Sequence, residues 1–156
     1  MAVRLTAPRS AEDWRRARRL IEAYAASLEV DLAFQDFAHE LEHLAAEYAP
    51  PGGAFLLAEE DAIDLGCVGL RRFADQSGEV KRLYTVPAAR GRGIGRALAE
   101  AIVAEGRRLG YRRLLLDTLP TMAAAQALYR SLGFTPTVAY RYNPVPGTAY
   151  LELELR

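Results

Sequence analysis

The stretch Arg90-Gly91-Arg92-Gly93-Ile94-Gly95-Arg96 sets three glycines and three arginines at the point where a strand pattern gives way to a helix pattern. Upstream, Val80 to Val86 has the β-branched and aromatic content of a strand and closes at Pro87. Downstream, Ile94, Ala97, Leu98, Ala101, Ile102 and Leu109 form an apolar stripe at helical spacing, ended by Gly110. The glycines therefore occupy a strand-to-helix turn. There the first helical N–H groups have no intrahelical acceptor and the helix dipole adds partial positive charge, so the backbone alone can hold a phosphate. A side chain in place of these glycines would block that approach, and the arginines add longer-range attraction.

Spacing separates the glycine-rich alternatives. A P-loop requires Gly-Lys followed by Ser or Thr, which is lacking here. A dinucleotide fingerprint requires G-x-G-x-x-G, whereas this chain has G-x-G-x-G after Arg90; Asp117 keeps that reading open as a ribose-binding acid. A plain surface turn, with glycines serving only chain reversal, also stays open.

The loop resembles the acyl-CoA signature of the GNAT acetyltransferase superfamily, with Arg90, Gly93 and Gly95 matching it position by position. A second segment, Ala125-Gln126-Ala127-Leu128-Tyr129-Arg130-Ser131-Leu132-Gly133-Phe134, is similar to the family's Ala-x-x-Leu-Tyr-x-x-x-Gly-Phe run. The chain departs from the pattern at Met122, where many members carry Asn. The resemblance implies an α+β fold in a single domain over residues 1–156: a mixed, mostly antiparallel twisted sheet with a splayed parallel strand pair and about four flanking helices. It also implies an N-acetyltransferase with acetyl-CoA as co-substrate, moving acetyl to a primary amine of a small molecule or to an exposed amino group by direct attack in a ternary complex.

Site residues follow from the same resemblance. The backbone of Leu83, Tyr84, Thr85 and Val86 would pair with the pantetheine arm, Arg90, Gly91, Arg92, Gly93, Ile94, Gly95 and Arg96 would hold the pyrophosphate, and Gln126 would join the cofactor contacts. Tyr129 would protonate the leaving thiolate; read from periodicity alone it is a core aromatic on a helix face. Glu79, at the start of the strand leading to the loop, is the first candidate for the general base, with Glu40 and Asp36 as alternatives. A non-catalytic acyl-CoA-binding regulatory domain is the competing function, and a Rossmann-like nucleotide binder is disfavoured by an antiparallel meander ahead of the loop.

Composition bounds the rest. A chain of 156 residues that is 51% apolar suffices for one ordinary core. No apolar run approaches the roughly 18 to 20 residues of a membrane span, and Met1 to Ser10 has no signal core. A soluble cytoplasmic protein without membrane or nucleic-acid partners is expected, and a homodimer is left open. Cys67 has no cysteine partner and sits in an apolar strand pattern, and no Cys/His cluster offers metal-ligand spacing, so no metal is expected. His39 and His43 lack the zincin spacing and read as a solvated helix face.

The net charge of zero conceals an asymmetry: residues 1–78 carry 8 basic and 14 acidic side chains, and residues 79–156 carry 12 basic and 6 acidic. No Lys or Arg falls between Arg19 and Arg71, while eleven Asp or Glu do. Set opposite the Tyr140 to Gly147 loop, this acidic wall predicts a cationic acceptor held by Asp36, Glu40, Tyr142 and Asn143.

Local patterns complete the layout. Val3 to Leu5 reads as a strand, and Ser10 with Asp13 as a capping box before a helix with Trp14, Ala17, Ile21, Tyr24 and Leu28 on one face. A second helix is predicted with Phe34, Phe37, Leu41, Leu44 and Tyr48 inward, ended by Pro50 to Gly53. Phe55 to Ala58 and Ile63 to Phe73 read as strands, and Asp75 to Gly78 as a turn. Leu114 to Asp117 reads as a buried parallel strand, Thr121 as the cap of a helix ending at Gly133, and Thr148 to Leu155 as a strand with Leu151, Leu153 and Leu155 on one face.

Overall fold

Alternation along the strands decides which side each element covers. In the strand Ala54–Glu60 (β2), Ala54, Leu56 and Ala58 belong to one apolar cluster, while Phe55 and Leu57 belong to another on the opposite face. The computed structural model describes residues 2–155, except the side chain of Phe34, which lies outside what is described. Seven strands form one sheet in the order β1-β2-β3-β4-β5-β7-β6. They are β1 (Arg4–Thr6), β2, β3 (Ile63–Ala74), β4 (Ser77–Thr85), β5 (Arg113–Thr118), β6 (Thr135–Pro136) and β7 (Ala149–Glu154). All pairings are antiparallel except β4 with β5.

Helices cover both faces. Helix α1 (Ala11–Ala26) is capped by Ser10, whose Oγ accepts from the Asp13 N–H, while Asp13 accepts from the Arg9 N–H. Its buried residues Ala17, Leu20 and Ile21 pack with Leu44, Tyr48, Phe55, Leu57 and Cys67. Helix α4 (Ile94–Arg108) covers the other face, where Leu98, Ile102 and Val103 meet Leu70, Val80, Leu114 and Leu116. Helix α5 (Ala123–Ser131) ends at Gly133 in the left-handed region, with the Phe134 N–H donating to the Tyr129 carbonyl. Among the described residues no helix is long and apolar enough to cross a membrane.

Several local expectations are corrected. The predicted second helix is three pieces, a 3-10 turn Leu32–Gln35, α2 (Phe37–Glu42) and α3 (Leu44–Tyr48). Asp36, at φ 56, separates the first two, and His43 leaves helical geometry between the others. Leu28 lies beyond the end of α1. Ser77 and Gly78 belong to β4 rather than to the turn, and α5 starts after Met122 with no side-chain cap, so Thr121 does not cap it.

One irregularity in β4 shapes the molecule. Cys67 opposes Tyr84 and Gly69 opposes Lys81, so Val68 alone faces both Arg82 and Leu83 in a β-bulge. Arg82 takes φ 63, which is costly for a residue with a side chain. Its guanidinium is nonetheless held on every side: Nε and one terminal nitrogen donate to the two Glu40 oxygens at 2.9 and 2.7 Å, with the rings of Phe37 and Tyr24 at 5.2 and 6.0 Å. The Tyr48 hydroxyl donates to Glu40 at 2.9 Å. Burial pushes the Glu40 carboxyl up, but the hydrogen bonds and charge of Arg82 outweigh it, and the net direction is down.

Removing one partner strands a buried charge. Glu40→Gln should therefore lower stability by about 3–5 kcal/mol in denaturant unfolding, and Arg82→Met in the same background should recover a large part of it. A Glu40→Gln protein with an unchanged unfolding midpoint and altered acceptor kinetics would instead place Glu40 at the cleft.

Candidate active site

The parallel pair β4–β5 is joined only where Ser77, Gly78 and Glu79 face Arg113, Leu114 and Leu115. Beyond Glu79 the strands part: β4 continues along β3, and β5 continues along β7 through Leu116, Asp117 and Thr118. Among the described residues no ladder pairing joins β4 to β5 beyond Glu79. The gap opens into a cleft of about 730 Å³, lined along its length by Leu83, Tyr84, Thr85, Tyr24, Leu28 and Leu128.

At one end the cleft meets the glycine loop. Gly91 and Gly93 have φ 83 and 78, and a Cβ on either would meet nothing within 4 Å, so these residues satisfy the backbone conformation rather than a packing limit. Gly93 is the N-cap of α4, so the N–H groups of Ile94, Gly95 and Arg96 have no intrahelical acceptor. A Cβ on Gly95 would stand 3.6 Å from Thr85 Oγ1 and 3.9 Å from Leu128 Cδ2, in the floor of the cleft. Arg90 borders the cleft, its Nε donating to the Thr85 carbonyl at 3.2 Å.

At the other end lies a smaller cavity of about 40 Å³, lined by residues that include Lys81, Arg82, Asp117, Met122, Tyr129 and Asn143. Tyr129 is buried, packs edge-to-face on Phe134 at 5.4 Å, and its hydroxyl has no hydrogen-bond partner among the described residues. Burial pushes that hydroxyl well above its usual value, so it stays protonated across the neutral range. Asn143 Nδ2 donates to Asp117 Oδ2 at 3.1 Å, and Asn143 Oδ1 accepts from the Val145 N–H at 3.0 Å. Lys81 Nζ donates to Gln35 Oε1 at 3.0 Å. Burial, with the repulsion of Arg82, lowers the Lys81 ammonium to about 8.

Several expected site residues are elsewhere. Arg92 is turned onto Glu60 at 3.0 Å and Arg96 onto Ser131 at 2.8 Å, so their side chains are engaged within the protein. The Val86 N–H donates to the Leu65 carbonyl, and the Gln126 amide donates to the Leu119 carbonyl at 2.8 Å, bracing the β5–α5 turn instead of lining the cleft. Glu79 is 0% exposed and lines neither cavity. Its Oε1 accepts from Arg71 and Arg141 at 3.3 and 2.8 Å, and its Oε2 accepts from the Tyr140 hydroxyl at 2.7 Å.

The acidic acceptor wall is corrected as well. Glu40 is 1% exposed and neutralised by Arg82, Asp36 is exposed at the joint before α2, and Tyr142 is 73% exposed; none of the three lines either of these two cavities. Only Asn143 of that set reaches the acceptor end. Sequence reasoning passed over Lys81 and weighed Asp117 only as a ribose-binding acid, yet both line the smaller cavity. A signal for Lys81 was present, since it is the one lysine among 20 Lys and Arg residues.

The comparisons agree with this geometry. The profile of the acetyltransferase (GNAT) family matches residues 13–134. An uncharacterised N-acetyltransferase of Schizosaccharomyces pombe is 38% identical over 140 residues, covering 88% of this chain and 86% of its own. The IAA acetyltransferase of Azospirillum brasilense is 38% identical over 109 residues, covering 69% and 71%. Two solved structures share the fold. A GNAT-family acetyltransferase of Staphylococcus aureus has a TM-score of 0.82 at 18% identity over 99% of this chain and 100% of its own. YncA of Salmonella typhimurium, solved with its cofactor acetyl-CoA, has a TM-score of 0.72 at 21% identity over 100% and 95%. With a splayed parallel pair, a glycine loop at a helix N-terminus and a family match across most of its length, the chain belongs to the GNAT acetyltransferase family.

Proposed function

We propose that this protein transfers an acetyl group from acetyl-CoA to a primary amine, on a small molecule or an exposed amino group, by direct attack within a ternary complex. The observation that carries this reading is the continuity of one cleft from the glycine loop to the Tyr129 hydroxyl, since both cavities share Tyr24, Leu28, Leu83, Met122 and Ala125. The residues present fit the co-substrate. Free N–H groups of Ile94, Gly95 and Arg96, with Arg90 beside them, suit a pyrophosphate, and the unpaired edge of β4 suits the amides of a pantetheine arm. The cleft volume of about 730 Å³ lies within the usual range for ligand sites.

Bound there, acetyl-CoA would supply a thioester acetyl whose C–S bond breaks as the acceptor's N–C bond forms. Tyr129 holds a proton for the departing sulfur and recovers it from solvent. With Glu79 and Glu40 engaged by buried cations, Asp117 is the carboxylate at the acceptor end, and in this reading it accepts the proton the amine loses. Backbone N–H groups of the splayed β4 edge are donors for negative charge developing on the carbonyl oxygen.

Gly95→Glu should fold, because its Cβ finds ordinary contact distances, yet lose acetyl-CoA affinity by at least about 100-fold in calorimetry through bulk and like charge. Near-normal affinity in the folded variant would remove the loop from the phosphate site. Tyr129→Phe should lower turnover by about 10²–10⁴-fold with acetyl-CoA affinity nearly unchanged. An unchanged chemical step would return Tyr129 to the core. Stoichiometric CoA binding without thiol release on any amine would favour a non-catalytic acyl-CoA-binding domain.

A further inference from the structure

Lys81 is the only lysine of the chain, is 4% exposed, and lines the small cavity together with Asp117, Tyr129 and Asn143. Its ammonium has three N–H donors but a single hydrogen-bond partner, the neutral Gln35 oxygen. Neighbouring charges are already committed: Arg82 to Glu40, and Glu79 to Arg71, Arg141 and Tyr140. No ion pair joins Lys81 to any described carboxylate. Glu79 and Asp117 are within Coulombic reach of Lys81 but neither is ion-paired with it, so two of its donors are left for an anionic group that enters the cavity.

We propose that Lys81 receives a carboxylate of the acceptor, so that the substrate is of the amino-acid class, carrying amine and carboxylate on one small molecule. The inference rests on the acetyl-transfer reading above. Asp117, across the splay on β5, and Tyr129 define where the amine sits, while Lys81 on β4 takes the opposite charge. The cavity of about 40 Å³ has room for roughly three waters, a volume suited to the three heavy atoms of a carboxylate rather than to a phosphate ester.

Lysine rather than arginine suits this position because the compact ammonium leaves that volume open, whereas a planar guanidinium would fill it. A base role fits less well. Burial and the repulsion of Arg82 lower the Lys81 ammonium only to about 8, which keeps it mostly charged at neutral pH. Gln35 Nε2 has no partner among the described residues and stands as a further donor for the same carboxylate.

Two measurements test this. In the first, thiol release from acetyl-CoA is followed with L-α-amino acids and with their primary amides. The acids should be favoured about 30-fold or more in kcat/KM, and Lys81→Met should bring that acid-over-amide ratio close to one, chiefly by raising KM for the acids. Equal rates for acids and amides in the unmodified protein would overturn the inference and leave acetyl transfer standing. In the second, the N-acetyl amino acids are titrated calorimetrically into the CoA-bound protein. Binding lost on Lys81→Met, in a protein that acetylates no amine, would uphold the carboxylate site and overturn only the transfer reading. Binding that ignores both the carboxylate and Lys81 would overturn the site itself.

Discussion

The buried pair between Glu40 and Arg82 is the interaction on which the functional half of this protein depends. Left-handed backbone at a residue with a side chain costs about 1–2 kcal/mol, and a bulge forfeits ladder hydrogen bonds, so β4 has reason to straighten. Two charge-assisted hydrogen bonds at 2.7 and 2.9 Å, with Tyr48 as a third donor on the same carboxylate, hold Arg82 where it is. The bulge lies just past Glu79, where pairing with β5 stops, and there the sheet becomes a cleft. The fragmented α2 is part of the same device. Glu40 sits on the short helix between the Asp36 and His43 joints, and from there its carboxylate meets Arg82 of β4.

This arrangement redistributes charge in a way that net composition conceals. Part of the acidic run of the first half is drawn inward or tied locally: Glu40 to Arg82, Glu47 to Arg71, Asp64 to Arg16, and Glu60 to Arg92. Glu79 closes a second buried group with Arg71, Arg141 and Tyr140, which ties the long loop before β7 to the start of β4. Several carboxylates that looked available from their frequency are thus structural, and the charged residues lining the smaller cavity are Lys81, Asp117 and the Glu40-bound Arg82.

How much was readable in advance followed from how local the determinants were. The glycine loop could be read because its requirements, positive φ at Gly91 and Gly93 and free N–H groups at a helix start, lie within a few residues. Alternation marked β7, a continuous apolar run marked β5, and apolar runs about an acidic turn marked β2 and β3, for the same reason. The acceptor end could not be read this way. Whether Glu40 faces solvent or Arg82 is decided by a partner 42 positions away, and whether Glu79 is a base or an anchor by partners 61 and 62 positions away. The second apolar stripe was genuine, with Leu44 and Tyr48 buried, but periodicity does not register a joint such as His43 that breaks the helix while keeping the face. The two-residue strand β6 carries too few side chains to leave a pattern.

The two ends of the cleft are consequently built from different materials. The loop end relies on backbone N–H groups and glycines, which present the same donors whatever the neighbouring side chains are, and this suits a group that is constant from one family member to another. The acceptor end relies on side chains from β4, β5, the loop before β7 and the turn before α2, each set by its own tertiary contacts. Specificity that comes from such side chains can change by single substitutions without disturbing the splay, because Arg82 and Glu40 hold the strand from behind. That separation fits a fold shared at 18–21% identity, because the splay depends on the Glu40–Arg82 pair and the bulge rather than on the side chains that line the smaller cavity.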